Sequence, residues 1–83
     1  MNKTEAFGYI YLIESKIDNK LYIGQSTNLK NKENYFGSGV WIKRAIRKHG
    51  KNNFIKTILK ECYSFEELNN EEIFFIEIFK RHL

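Results

Sequence analysis

Two short runs of aromatic and β-branched residues, 8–13 and 21–24, flank an Asp18-Asn19 turn signal. That pattern constrains the chain more than any other feature. Gly8-Tyr9-Ile10-Tyr11-Leu12-Ile13 and Leu21-Tyr22-Ile23-Gly24 fit pleated strands, and Asp and Asn favour the turn between them. Residues 8–24 are therefore expected to form a hairpin, with a loop somewhat longer than two residues. Thr27 or Asn28 can cap a short helix through about residue 32. Ser38 can cap a second helix over residues 40–49, which Gly50 ends. Its apolar positions are Trp41, Ile42, Ala45 and Ile46, and its polar ones are Lys43, Arg44, Arg47 and Lys48, two faces at helical spacing. Residues 51–53 read as a turn and 54–59 as a third strand. Ser64 and Glu67 fit a capping box ahead of a last helix that runs to about residue 80. The order strand, strand, helices, strand, helix predicts an α+β domain with one small sheet covered by helices.

With 83 residues the chain has room for one domain, 1–83. It is 42% apolar and 16% aromatic, which excludes a disordered composition. No apolar run approaches the roughly 20 residues of a membrane span, and the first residues lack a signal-peptide stretch, so a cytoplasmic setting and no membrane partner are expected. The one cysteine, Cys62, excludes an internal disulfide and a cysteine-rich zinc site, and reads as a small buried hydrophobe. No histidine pair has ligand spacing, and no glycine-rich phosphate loop is present. No heptad seam is present, so a monomer is expected.

The net charge of +4 is unevenly distributed. Residues 27–60 carry nine lysines and arginines against Glu33 alone, whereas 61–83 carry six glutamates against Lys80 and Arg81. A concentrated cationic segment attracts polyanions, of which nucleic acid is the usual one. Lys43, Arg44, Arg47 and Lys48 share one helix face without compensating glutamates, although such like charges repel at i,i+4. They are candidate DNA contacts, together with Lys30. The other reading is a solvated helix face.

On the last helix Leu68, Glu72, Phe75 and Phe79 fall at spacings of four, three and four, so Glu72 interrupts an apolar stripe. A carboxylate facing a core needs a partner or a metal. Glu72 is thus a candidate metal ligand or acid–base group, a buried partner for a lysine, or a residue at which the stripe curls into water. Tyr11 and Tyr22 are packing residues or, beside cations, phenols able to donate a hydrogen bond or pass a proton.

Tyr9-Ile10-Tyr11 and Tyr22-Ile23-Gly24, with ten residues between Tyr11 and Tyr22, resemble the two halves of the GIY-YIG nuclease signature, with tyrosine at the first glycine. The resemblance continues through Lys48-His49-Gly50, Asn53-Phe54 and the segment from Glu67-Leu68 to Phe75-Ile76, with Glu72 at the family's acidic position. It covers about residues 8–80 and looks most like phage and intron-encoded homing endonucleases. It implies a three-stranded antiparallel sheet flanked by helices and a metal-dependent DNA endonuclease. Glu72 would be the sole protein ligand of Mg²⁺, or of another divalent cation such as Mn²⁺. Tyr22 would deprotonate or position the attacking water, and Tyr11 would hydrogen-bond near the scissile phosphate. Lys32 stands where the family has an arginine, and carries its charge without the planar bidentate fork. A family histidine is replaced in the region of Asn34-Tyr35-Phe36, and a family asparagine beyond the last helix has no counterpart before Leu83. The alternatives are a catalytically impaired nucleic-acid-binding domain of the same fold and a small protein-interaction module.

Overall fold

The computed structural model describes residues 5–27, 29 and 40–81. Its order is β1 (Gly8–Ser15), β2 (Leu21–Ser26), α1 (Val40–His49), a 3₁₀ turn (Lys51–Asn53), β3 (Phe54–Cys62) and α2 (Phe65–Arg81). The strands form one antiparallel sheet in the order β2-β1-β3, so the most apolar strand takes the centre. The fold is the expected α+β arrangement of three antiparallel strands and flanking helices. Among the described residues, no helix is long and apolar enough to cross a membrane.

The β1–β2 turn is held by side chains that mimic backbone acceptors. Ser15 Oγ accepts the Ile17 and Asp18 N–H groups, and Asp18 Oδ1 accepts the Lys20 N–H. Asn19 occupies the left-handed region at φ 62°, which asparagine tolerates better than most residues. Gly50 ends α1 at φ 87°, where a side chain would be strained. Asn53 Nδ2 donates to the His49 carbonyl there, satisfying one of the helix's last acceptors. At the start of α2, Ser64 Oγ accepts the Glu67 N–H at 3.0 Å, as the capping box predicts. The Glu67 carboxylate reaches back one residue further than the motif requires, to the Tyr63 N–H at 2.7 Å.

Alternation along β1 sends successive side chains to opposite faces. Tyr9, Tyr11 and Ile13 pack with Phe54 of β3 and Ile42 of α1, and Ala45 and Ile46 complete that face. Ile10 packs with Cys62 and Leu68, and Leu59, Ile23 and Phe75 complete the other. Ile10, Ile13 and Leu68 are all but fully buried, and each such side chain contributes about 1.5–3 kcal/mol.

Three features differ from the sequence expectations. Strand β3 extends past residue 59 to Cys62, because its pairing with β1 shifts between Ile10 and Tyr11 and then resumes. The shift leaves Leu59 out of register, and Lys60 then reaches Glu71 at 3.2 Å and Glu67 at 3.7 Å on α2. Trp41, expected on the apolar face of α1, is 75% exposed. The buried face of that helix is narrower than its apolar pattern, running through Ile42, Ala45 and Ile46. Of the short helix expected from Thr27 or Asn28 to residue 32, only Thr27 and Leu29 lie within the described residues, as does none of the Ser38 cap.

Candidate active site

The two motif tyrosines lie on the α1 face of the sheet. Tyr11 pairs in register with Gly24, and Tyr22 pairs with Ile13. A Cβ at Gly24 would sit 2.5 Å from Tyr11 Cζ, so the phenol occupies the space a side chain would fill. That close approach is the physical reason for glycine at this point, and it carries the Tyr11 hydroxyl out over β2. Tyr22 is half-buried against the same cluster, with its side chain beside α1.

Tyr9, where the signature has glycine, is fully buried, and its ring centroid lies 6.0 Å from that of Tyr11. Lys56 of β3 completes this group. Its Nζ stands 5.0 Å from both ring centroids and donates to Tyr9 Oη at 3.3 Å. Burial, reinforced by the charge of Lys51, lowers the Lys56 pKa to about 8. In the sequence Lys56 is one of the nine cations of residues 27–60. Its signal was the period-two row Phe54, Lys56, Ile58, in which a lysine takes an inward position.

Glu72 lies on the other face, above β2. It is half-buried, and its Oε1 accepts the Gln25 side-chain amide at 2.8 Å. The second proton of the same amide goes to Asn69 Oδ1, also at 2.8 Å. Gln25 therefore spends both donors fixing the α2 side chains that overhang the strand. Glu72 is thus a half-buried carboxylate whose partner is the Gln25 amide, a partner that none of the three readings named. Neither Gln25 nor Asn69 is marked as a site residue by the sequence alone. Gln25 follows Gly24 in a strand whose inward row is Ile23 and Gln25, a polar residue where an apolar one would suffice.

β2 is one of the sheet's two edge strands, and the sheet lies between the tyrosines and Glu72. Tyr11 and Tyr22 approach from the α1 side and Glu72 from the α2 side. Lys32 and Lys30 fall outside the described residues. Among the described residues, no three His, Cys, Asp or Glu side chains are grouped so as to hold a metal by themselves. A single carboxylate with one oriented oxygen suits a hard cation that keeps most of its water, which is the habit of Mg²⁺. The donor chemistry of Glu72 thus fits such an ion. Lys43, Arg44, Arg47 and Lys48 are all exposed on α1. Arg44 and Lys48 share a groove with Tyr22, while Lys43 and Arg47 lie elsewhere on the helix.

Residues 7–82 match the family model described as the GIY-YIG catalytic domain. Three proteins of Enterobacteria phage T4 are similar. The chain is 40% identical over 76 residues to segE, covering 89% of this chain and 37% of the relative. It is 44% identical over 63 residues to segD, covering 76% and 28%. It is 31% identical over 71 residues to segA, covering 86% and 32%. The first two carry provisional endonuclease names and the third is named as an endonuclease. The chain spans about a third of the length of these curated relatives. No solved structure matches it.

Proposed function

This chain belongs to the GIY-YIG family, and from that premise we propose that it is a DNA endonuclease domain using a divalent cation, Mg²⁺ or Mn²⁺, to hydrolyse phosphodiester bonds. The endonuclease names of segE, segD and segA support the reading. The observation that carries it is the placement of Glu72, fixed by Gln25 at the β2 edge that Tyr11 and Tyr22 approach from the opposite face.

Glu72 would hold the cation, the remaining positions being filled by water and a phosphate oxygen. When bound, the cation supplies Lewis-acid stabilisation of the charge that develops on phosphorus and the leaving oxygen. Tyr22, beside Arg44 and Lys48, positions or deprotonates the attacking water. Tyr11 donates a hydrogen bond to a non-bridging phosphate oxygen from its seat over Gly24. The cations of α1 hold the DNA backbone and set no sequence preference by themselves.

A catalytically impaired, nucleic-acid-binding domain is the second reading. Lys32 in the place of the family arginine favours it, since lysine lacks the bidentate fork. A plasmid-nicking assay with Mg²⁺ or EDTA, run beside Glu72→Ala, separates the two. The endonuclease reading expects metal-dependent nicking that the variant loses. Salt-sensitive DNA binding without nicking supports the second reading.

A further inference from the structure

We propose that the groove between the β1–β2 turn and α1 binds an unpaired nucleotide of a DNA strand, with its base stacked on Trp41 and its phosphates on Arg44 and Lys48. The inference rests on reading the domain as one that acts on DNA. It adds a substrate feature, an unstacked base, and a residue, Trp41, that nothing in the family motif supplies.

The groove is lined by Asp18 and Lys20 from the turn side, Tyr22 from β2, and Trp41, Arg44, Lys48 and His49 from α1. Its volume is about 260 Å³. That falls below the roughly 300–1,000 Å³ of pockets that enclose a drug-sized ligand, so it takes one nucleotide's worth of a strand. Three cations, Lys20, Arg44 and Lys48, face one carboxylate. Asp18 spends that carboxylate on the turn, where it accepts the Lys20 N–H at 3.1 Å. Ser15 and the turn backbone hold its pKa below the usual range, so the carboxylate stays ionised and leaves the lining with an excess of two positive charges.

Trp41 gives the groove its second kind of surface. It is 75% exposed, although large aromatics usually leave water. Trp41, Arg44 and Lys48 follow one another at spacings of three and four, so an indole and two cations form one stripe along the helix. Arg44 and Lys48 repel each other at i,i+4, and no acidic residue on α1 relieves them. A cationic track with an aromatic platform beside it is how proteins hold single strands. The phosphates take the charges, and the π-face takes whichever base is presented. A duplex offers phosphates but no open base face, and an acidic peptide offers carboxylates but no ring.

Trp41 is the chain's one tryptophan, so emission excited selectively from tryptophan reports on this groove. The test titrates the full chain in EDTA with an oligothymidylate about eight nucleotides long, its duplex, an abasic strand of equal length, and polyglutamate. Oligothymidylate should quench Trp41, with salt reversing the effect. The abasic strand should bind roughly tenfold more weakly and leave the emission unchanged. Anisotropy of labelled strands should show Trp41→Ala binding oligothymidylate roughly tenfold more weakly, Trp41→Phe recovering most of the loss, and duplex affinity held within about twofold. Equal affinity for the abasic strand, unchanged binding by Trp41→Ala, or quenching by polyglutamate would overturn the proposal. Cleavage is read separately. Plasmid nicking without quenching by oligothymidylate sinks this inference alone, whereas quenching without nicking upholds it and removes the endonuclease reading.

Discussion

The two faces of the sheet are built from different chemistry. The α1 face packs three tyrosines, Tyr9, Tyr11 and Tyr22, with Ile13, Ile42 and Phe54, and admits one lysine, Lys56. The α2 face packs Ile10, Cys62, Leu68 and other apolar groups, pairs Lys60 with Glu71 and Glu67, and holds Glu72 at its rim. The motif phenols therefore lie on one side of β2 and Glu72 on the other. Neither face alone offers both a cation ligand and a group to handle water. A phosphodiester at the β2 edge would be within the province of both. Under the proposed function the contrast assigns the chemistry to the strand edge rather than to a pocket in either face.

The comparison can be broken most severely from the aliphatic side. Leu68→Ala empties a 1%-exposed site under α2 and should cost about 2–5 kcal/mol in urea unfolding. A loss under 1 kcal/mol would mean that the α2 face is not packed as described. Gly24→Ala acts on the other face by driving a methyl into the Tyr11 ring. It should cost about 1–3 kcal/mol and reduce nicking more than that loss of folded protein explains. Gln25→Leu sharpens the comparison. It removes the amide that holds Asn69 and Glu72, and should weaken nicking about tenfold with little change in the unfolding midpoint.

The smallest effect is a pH dependence. Lys56 has an ordinary pKa of 10.5 when unfolded and about 8 when folded. Between those values the unfolded chain binds more protons, so this residue makes stability rise with pH from about 8 to 10.5. Lys56→Met should flatten that rise relative to the wild-type chain in urea unfolding across the window. An identical slope in both proteins would contradict the account of Lys56.

Much of the fold was legible because it is local. The hairpin, the span of α1, the glycine that ends it and the Ser64 cap each follow from neighbouring residues. The end of β3 did not, because it depends on where pairing with β1 resumes after a shift in register. In the site, Glu72 stood out as a charge in an apolar stripe. Gln25 did not, because its value comes from partners 44 and 47 residues away. Lys56 was hidden for the same reason, since Tyr9 is 47 residues distant. Trp41 was misplaced because helical spacing says which residues share a stripe but not how wide a stripe the sheet covers. The tyrosines were visible as residues, while the role of Gly24 in seating Tyr11 required the register.

The central claim is that both faces of β2 serve one phosphodiester. The most direct test is the nicking rate, at saturating Mg²⁺, of Glu72→Gln, Tyr22→Phe and the double variant. Groups acting on the same transition state lose rate non-additively. The account predicts that each single change lowers the rate by at least about a hundredfold, and that the double variant is scarcely worse than Glu72→Gln. A Tyr22→Phe protein that nicks at the wild-type rate would contradict it.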